Sequence, residues 1–319
     1  MDQNTETVLY IISSLMNETQ TVTTQAVADS MAWAAAGMEY SHVFTWLEDN
    51  GYVTLADHRL KLTQKGAQEA GRIREVKIQE EFDGLIGRCT QSSAYLDFCE
   101  ELYGYRLYLF NMMDKRQLDD LFAALSLSPD DTVLDVGCGT GCLLNSIAEK
   151  FGCKGIGIDC LSVSIVNSLS PLIDYRQADM DEIDAFHAQT VLFVDSLYFS
   201  RDCGSLLSRL KGGAVKKAYL YYSAYLFEDT EDKALLRKDQ TPLAQVLNRL
   251  GYAYKATDYS ECEFKLYTRG FKLLEKYKSA FTRQGLEAIY ARRLGEYQFG
   301  AELYEKGLTS RFLYIADKF

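Results

Sequence analysis

The chain has 319 residues, of which 45 are acidic and 34 are basic, giving a formal net charge of −11. Hydrophobic residues make up 47% and charged residues 25%, a composition typical of a globular protein of about two domains. Binding of nucleic acid through its phosphates needs a basic surface. The acidic balance therefore argues against that class of partner.

The eight cysteines form no Cys-x-x-Cys pair, and the sequence contains no stretch of 18 apolar residues. Thiols at irregular spacings are typical of a reducing compartment, and the acidic N-terminal residues do not resemble a signal peptide. We therefore expect a cytoplasmic protein without a membrane-spanning helix. No cluster of histidines or carboxylates indicates a metal site.

Residues 1–75 show three short amphipathic patterns followed by a two-stranded pattern at residues 52–63. The order of these elements resembles a winged-helix domain. Its third predicted helix contains acidic residues but neither lysine nor arginine, so phosphate would repel it. We predict a domain used for dimerisation or packing. The three predicted helices cover residues 7–16, 23–36 and 40–50.

After a helical connection over residues 76–127, short apolar strands alternate with helices from residue 128 onward. Such alternation predicts a doubly wound α/β fold, and near-continuous apolar strands are typical of a parallel sheet covered on both faces. Residues 261–309 predict a helical insertion before the last strand. The predicted strands cover residues 131–136, 155–159, 173–175, 190–195, 217–223, 252–259 and 311–316.

One stretch carries the chemistry: the first strand ends at Asp135 and Val136, and then Gly137, Gly139 and Gly141 precede a helix. Glycines allow a ligand to approach the backbone closely, and a helix N-terminus offers free N–H groups. A second acid ends the second strand, and a third follows the third strand. Acids at successive strand ends predict a site for a nucleoside.

This pattern resembles the class I S-adenosylmethionine-dependent methyltransferases. Dinucleotide sites carry Gly-x-Gly-x-x-Gly, whereas this loop reads Leu-Asp-Val-Gly-Cys-Gly-Thr-Gly, close to the commonest form in the methyltransferases. The resemblance covers about residues 128–260 and the last strand. It implies a Rossmann-like fold, S-adenosyl-L-methionine as the cofactor and S-adenosyl-L-homocysteine as the product.

The resemblance also implies roles for individual residues. The loop and Asp135 would meet the methionine part of the cofactor, Asp159 the ribose and Asp179 the adenine. An aromatic segment such as residues 103–110 covers the cofactor in related enzymes. The predicted cofactor contacts are Asp135, Gly137, Cys138, Gly139, Gly141, Asp159, Asp179, Met180, Asp195 and Tyr105.

The acceptor is predicted to lie where the fourth strand ends. Asp195 and Tyr198 follow that strand and are the residues we expect to position it. Asp195 could instead contact the amino group of the cofactor, cap the next helix or bond to nearby backbone. Methyl transfer is an in-line displacement, in which positioning and exclusion of water supply much of the catalysis.

The sequence thus predicts a methyltransferase for a small molecule with a nitrogen, oxygen or sulfur nucleophile. The insertion at 261–309 is expected to form a lid, and the N-terminal domain to support a homodimer. Two alternatives remain open. One is a DNA-binding regulator controlled by S-adenosylmethionine, and the other is a methyltransferase for RNA or protein.

Overall fold

The chain divides into two compact units, Met1–Glu81 and Phe82–Phe319. Most of the helix predicted at 23–36 lies outside the described residues, although residues 24–28 are helical. Within the described ranges, no helix is both long enough and apolar enough to cross a bilayer. The computed structural model describes residues 1, 3–15, 21–28, 41–108, 110–162, 170–183, 187–211, 214–226 and 232–317.

The first unit combines helices with a small antiparallel sheet. Its strands lie in the order β1-β3-β2, and Asp57 and His58 make the turn between β2 and β3 at positive φ. The predicted pair of strands is confirmed, while the winged-helix interpretation stays a prediction. The elements are α1 Gln3–Leu15, β1 Val22–Thr23, α2 Ser41–Asp49, β2 Val53–Ala56, β3 Arg59–Leu62 and α3 Gln64–Cys89, the last ending in the second unit.

The second unit contains a seven-stranded sheet in the order β6-β5-β4-β7-β8-β10-β9. The strands from β4 to β8 run parallel, whereas β10 is antiparallel to both of its neighbours. This arrangement confirms the predicted Rossmann-like α/β fold. The strands are β4 Thr132–Val136, β5 Lys154–Asp159, β6 Ile173–Gln177, β7 Thr190–Val194, β8 Lys217–Tyr225, β9 Ala253–Asp258 and β10 Thr309–Asp317.

Hydrophobic side chains cover both faces of this sheet. Successive strand residues point to opposite faces, and the neighbours Leu192 and Phe193 on β7 accordingly belong to different buried clusters. The apolar runs that predicted a parallel sheet are thus explained by burial on two sides. The helices are α4 Ser93–Tyr103, α5 Lys115–Ala124, α6 Cys142–Phe151, α7 Cys203–Leu210, α8 Pro242–Arg249, α9 Ser260–Arg283 and α10 Glu287–Glu305.

Helices α9 and α10 lie between β9 and β10, where the helical pattern was predicted, and share an aromatic core with α4. Two glycines let the pair pack closely. A Cβ atom on Gly300 would lie 2.5 Å from the ring of Tyr267, and one on Gly270 would lie 2.7 Å from the ring of Tyr297. On each helix, a glycine thus makes room for a tyrosine ring of the other helix.

The replacement Gly300→Ala is expected to lower the free energy of unfolding by about 1–3 kcal/mol, because the buried ring of Tyr267 would have to move. Urea denaturation measures this loss. Gly84→Ala is a matched control in α3, where the new Cβ would meet only the end of Arg88, at 3.9 Å. The control should be neutral or slightly stabilising, and equal effects of the two substitutions would contradict the packing argument.

Candidate functional site

The loop after β4 needs glycine for two different reasons. Gly137, Gly139 and Gly141 have φ values of 79°, 53° and 74°, a region that other residues adopt only with strain. A side chain on Gly137 would also overlap Ser196, and one on Gly141 would overlap the ring of Tyr175. No described atom lies within 4 Å of the Cβ position of Gly139, so space remains beside the middle of the loop.

Asp135 lies on β4 directly before this loop and is only 2% exposed. Its Oδ1 atom has no hydrogen-bond partner among the described groups. Burial, with a smaller contribution from nearby Asp159, raises the pKa of this carboxyl to about 7. A buried acceptor without a partner is unusual in a folded protein and calls for a ligand or an ordered water. The position and charge of this oxygen suit a cationic group.

Asp159 ends β5 and holds the glycine loop in place. Its Oδ2 accepts a hydrogen bond from the N–H of Gly139 at 2.7 Å, and its Oδ1 accepts one from the N–H of Leu161 at 3.0 Å. Burial raises the pKa of Asp159, and these N–H donors oppose that shift. Oδ1 also accepts a weak hydrogen bond from the Cys160 thiol at 3.6 Å, whereas Oδ2 can accept a second hydrogen bond. Asp159 can therefore also bind hydroxyl groups of a ligand.

Cys138 lies within the loop and packs against β5. A Cβ atom on Gly157 would lie 2.9 Å from its Sγ, which shows how closely the thiol approaches that strand. Burial raises the pKa of the Cys138 thiol well above its ordinary value, so the side chain is a neutral packing group. Any contact of Cys138 with a cofactor would be made by its backbone or by van der Waals contact of its small side chain.

Asp179 and Met180 follow β6 at the same edge of the sheet. Asp179 accepts hydrogen bonds from the N–H of Asp181 and from Arg201, both at 2.8 Å. The N–H of Ala178 donates to the backbone oxygen of Asp159 at 2.9 Å, which joins the two strand ends. Met180 packs against the sheet core. Arg201, which the sequence did not indicate, thus fixes the side chain predicted to meet adenine.

Asp195 directly follows β7 and has a left-handed conformation, with φ of 54°. Its Oδ2 accepts a hydrogen bond from the N–H of Met112 at 2.9 Å, and its Oδ1 accepts one from the hydroxyl of Tyr198 at 2.9 Å. The guanidinium of Arg311 also pairs with Oδ1. The structure therefore brings Asp195 and Tyr198 together, but both oxygens of the carboxylate already have protein partners.

Arg311 is the centre of a buried ionic cluster that the sequence analysis did not find. It pairs with Asp195 and Glu263, and its guanidinium lies 4.3 Å from the ring centre of Tyr221. Burial disfavours its charge, but the two carboxylates keep the Arg311 pKa above its ordinary value. The arginine in the otherwise apolar predicted strand 311–316 is a sequence signal that could have indicated such a cluster.

Residues 104–108 and 110–114 contact the glycine loop, the residue after β7 and the middle of β8. The hydroxyl of Thr140, in the glycine loop, donates to the backbone oxygen of Tyr108 at 3.2 Å. Met112 donates to Asp195 and accepts from the hydroxyl of Tyr221, on β8, at 2.8 Å. Tyr105 donates its own hydroxyl to Met113 at 2.5 Å. These residues are thus held against the loop after β4, the turn after β7 and the middle of β8.

A family model described as methionine biosynthesis protein MetW matches residues 119–207, less than half of the chain. No curated protein matches the sequence. Solved structures are similar in fold. One is the phosphoethanolamine N-methyltransferase 2 of Haemonchus contortus in complex with S-adenosyl-L-methionine, with a TM-score of 0.59 and 13% identity. That match covers 74% of this chain and 60% of the other.

The cyclopropane synthase MmaA2 of Mycobacterium tuberculosis has a TM-score of 0.57 at 13% identity, covering 74% of this chain and 98% of the other. A putative sarcosine dimethylglycine methyltransferase of Galdieria sulphuraria has a TM-score of 0.52 at 14% identity, covering 64% and 85%. The chain has the fold of class I S-adenosylmethionine-dependent methyltransferases. It spans 60% of the length of the Haemonchus enzyme.

The buried carboxyl of Asp135 predicts a specific dependence of stability on pH. Its pKa is near 3.8 in the unfolded chain and about 7 in the folded protein, so the folded state binds the extra proton between these values. The free energy of unfolding should therefore fall as pH rises through that window. Asp135→Asn removes this loss and should stabilise the ligand-free protein at pH 8 by up to about 4 kcal/mol.

Urea denaturation at pH 5 and pH 8 measures the difference between the variant and the unmodified protein. Asp130→Asn changes an exposed carboxyl in the turn before β4 and serves as the control. If Asp135→Asn gives the same increment at both pH values, as the control should, the carboxyl does not titrate as described.

Proposed function

We propose that this protein transfers a methyl group from S-adenosyl-L-methionine to a small-molecule acceptor and releases S-adenosyl-L-homocysteine. The observation that carries the proposal is the unpartnered Oδ1 of Asp135 beside the glycine loop. It is joined by Asp159, whose carboxylate is fixed by the N–H of Gly139. A carboxylate for the ammonium group and another for the ribose hydroxyls are what the amino-acid part and the ribose of the cofactor require.

Residues from three strand ends would hold the cofactor. Asp135 would bind its ammonium group, the backbone at Gly139 would lie against its amino-acid part, and Asp159 would accept its ribose hydroxyls. Asp179 would accept from the adenine amino group while Arg201 holds its orientation, and Met180 would pack against the ring. Tyr105 would contribute through the covering segment, which consists of residues 104–108 and 110–114.

The cofactor supplies an electrophilic methyl group on a sulfonium. The chain has to hold the acceptor in line with that methyl group and keep water away, which can supply most of the acceleration. The covering segment excludes water from above the glycine loop in this proposal. Its contacts to Thr140 and Asp195 support this role.

Tyr198 is the side chain that we propose to meet the acceptor directly. It is 38% exposed, and its hydroxyl is held by Asp195. Arg311 already donates a hydrogen bond to Oδ1 of the Asp195 carboxylate. Asp195 would therefore orient Tyr198 and the covering segment, and share its oxygens with the acceptor or the cofactor. A neutral amine or a thiolate acceptor needs no general base.

Asp159→Ala should weaken binding of S-adenosylhomocysteine at least tenfold, because the ribose hydroxyls lose a buried acceptor and the glycine loop loses its tie to β5. Isothermal titration calorimetry gives the affinity. Asp174→Ala is the matched control, since this acid lies on the neighbouring strand β6 and bonds to Arg176 at the surface. An unchanged affinity in Asp159→Ala would remove Asp159 from the proposed site.

For the N-terminal unit we propose a dimerisation role within a winged-helix-like domain. Trp46 on α2 is 39% exposed and stacks on Tyr52, with ring centres 5.8 Å apart. The exposed surface of the same helix carries His42, Glu48 and Asp49. An apolar ring among acids suits a protein surface better than the phosphates of DNA.

Trp46→Glu should convert a dimer into a monomer, because it places a charge in the proposed interface. Light scattering with chromatography measures the mass of each form. Gln68→Glu adds the same charge at another exposed position of this unit and should leave the dimer intact. An unmodified protein that is already monomeric, or that binds a DNA duplex in a salt-sensitive manner, would overturn this role.

A further inference from the structure

Three aromatic side chains meet where β7 ends beside the second half of β8. Tyr198 and Phe199 have ring centres 5.1 Å apart with planes inclined by 58°, and Tyr198 and Tyr222 have ring centres 6.5 Å apart with planes inclined by 45°. We call these three residues the aromatic cluster. A cation within about 6 Å of a ring centre is attracted to the face of that ring. The spacing allows one cation to interact with more than one ring.

The aromatic cluster lies next to the proposed cofactor site. Ser196, two residues before Tyr198, packs so closely on the glycine loop that a side chain on Gly137 would overlap it. The hydroxyl of Ser196 also donates to the backbone oxygen of Val136, the last residue of β4, at 2.5 Å. A molecule bound at the cluster is therefore close to the loop that would hold the methyl donor.

The charged groups behind the cluster contain more acid than base. Asp195 bonds to the hydroxyl of Tyr198 and pairs with Arg311, which also pairs with the buried Glu263. One guanidinium thus faces two carboxyl groups. Because Arg311 is engaged by both, it is not available to hold an anionic acceptor. The surroundings of the cluster instead favour a ligand with a positive charge.

The register of the sheet adds a hydroxyl group to the same face. Tyr222 is paired with Phe312, and Ala224 is paired with Ser310, so all four side chains lie on one face because residues alternate along a strand. The Oγ atom of Ser310 is buried and has no hydrogen-bond partner among the described groups. It is a second polar group, besides the Tyr198 hydroxyl, that a bound ligand could use.

We propose that the acceptor belongs to the class of small organic amines that react as the neutral amine, whose nitrogen lone pair takes the methyl group while the sulfonium becomes a thioether. The product then carries a positive charge, and we propose that the aromatic cluster binds this amine and stabilises that charge. This inference rests on the proposed methyltransferase function and specifies its substrate. Tyr198 would act as a specificity-determining residue that contacts the acceptor. Binding involves the faces of the rings and the partial charge of nearby oxygens.

Two probes of equal shape test the requirement for charge. Choline carries a quaternary ammonium, and 3,3-dimethylbutan-1-ol has the same skeleton with carbon in place of nitrogen. Each is titrated by calorimetry into the protein saturated with S-adenosylhomocysteine. Choline should bind about tenfold more tightly than its neutral counterpart, which is the preference that one or two cation–π contacts provide.

Variants assign the preference to the aromatic cluster. Tyr198→Leu and Phe199→Leu should each reduce the affinity for choline about tenfold while changing that of the alcohol little. Tyr198→Phe keeps the ring and should retain most of the preference. Phe299→Leu is the control, because Phe299 is an exposed ring on α10 with 43% exposure. Binding of S-adenosylhomocysteine by each variant verifies that it is folded.

The outcomes separate this inference from the function on which it rests. If the unmodified protein does not bind S-adenosylhomocysteine, the proposed function is wrong. If it binds that product but binds choline no more tightly than the alcohol, the amine class is wrong and the methyltransferase proposal stands. A preference for choline that survives in both leucine variants would place the amine elsewhere and overturn the role of the cluster.

Discussion

The close packing of the glycine loop is the constraint on which the rest of the site depends. Ser196 from the end of β7 and Tyr175 from β6 occupy the places where side chains of Gly137 and Gly141 would be. The loop is therefore packed closely at its first and last glycines, with space left at Gly139. Asp159 then fixes that middle glycine through its N–H group. Backbone, acid and open space are brought together by the same contacts.

A second feature, the buried cluster around Arg311, organises the other half of that edge. Two carboxyl groups and one guanidinium buried together are costly unless hydrogen bonds satisfy them, and here Met112 and Tyr198 bond to Asp195. The cluster thereby joins β7, β10, α9 and the covering segment. Removing one member of the cluster would leave a buried charge without a partner. We therefore interpret the cluster as a structural support for the region where the acceptor is proposed to bind.

Much of the fold could be predicted from the sequence. The seven strands of the large sheet lie within a few residues of their predicted positions, because apolar runs and turn residues follow directly from burial. The acids at the strand ends could also be predicted to lie near one another, because parallel strands end at a common edge of the sheet. The helices α9 and α10 also occupy the region with helical periodicity.

The partners of these acids could not be predicted. Arg311 lies 116 residues from Asp195 along the chain and Glu263 lies 48 residues from Arg311, and no local pattern records such long-range pairs. The resemblance likewise implies that the aromatic segment 103–110, which begins with Tyr103, covers the cofactor. In the structure Tyr103 is buried in the helical core with Tyr297, where hydrophobic packing between helices decided its position.

A crystal structure of the protein grown with S-adenosylhomocysteine tests the central claim most directly. We predict that the ribose hydroxyls bind the Asp159 carboxylate and that the amino group lies within hydrogen-bond distance of Asp135 Oδ1. The amino-acid part of the ligand should lie against Gly139. Density for the ligand at another place, or a glycine loop that remains empty at saturating ligand, would contradict it.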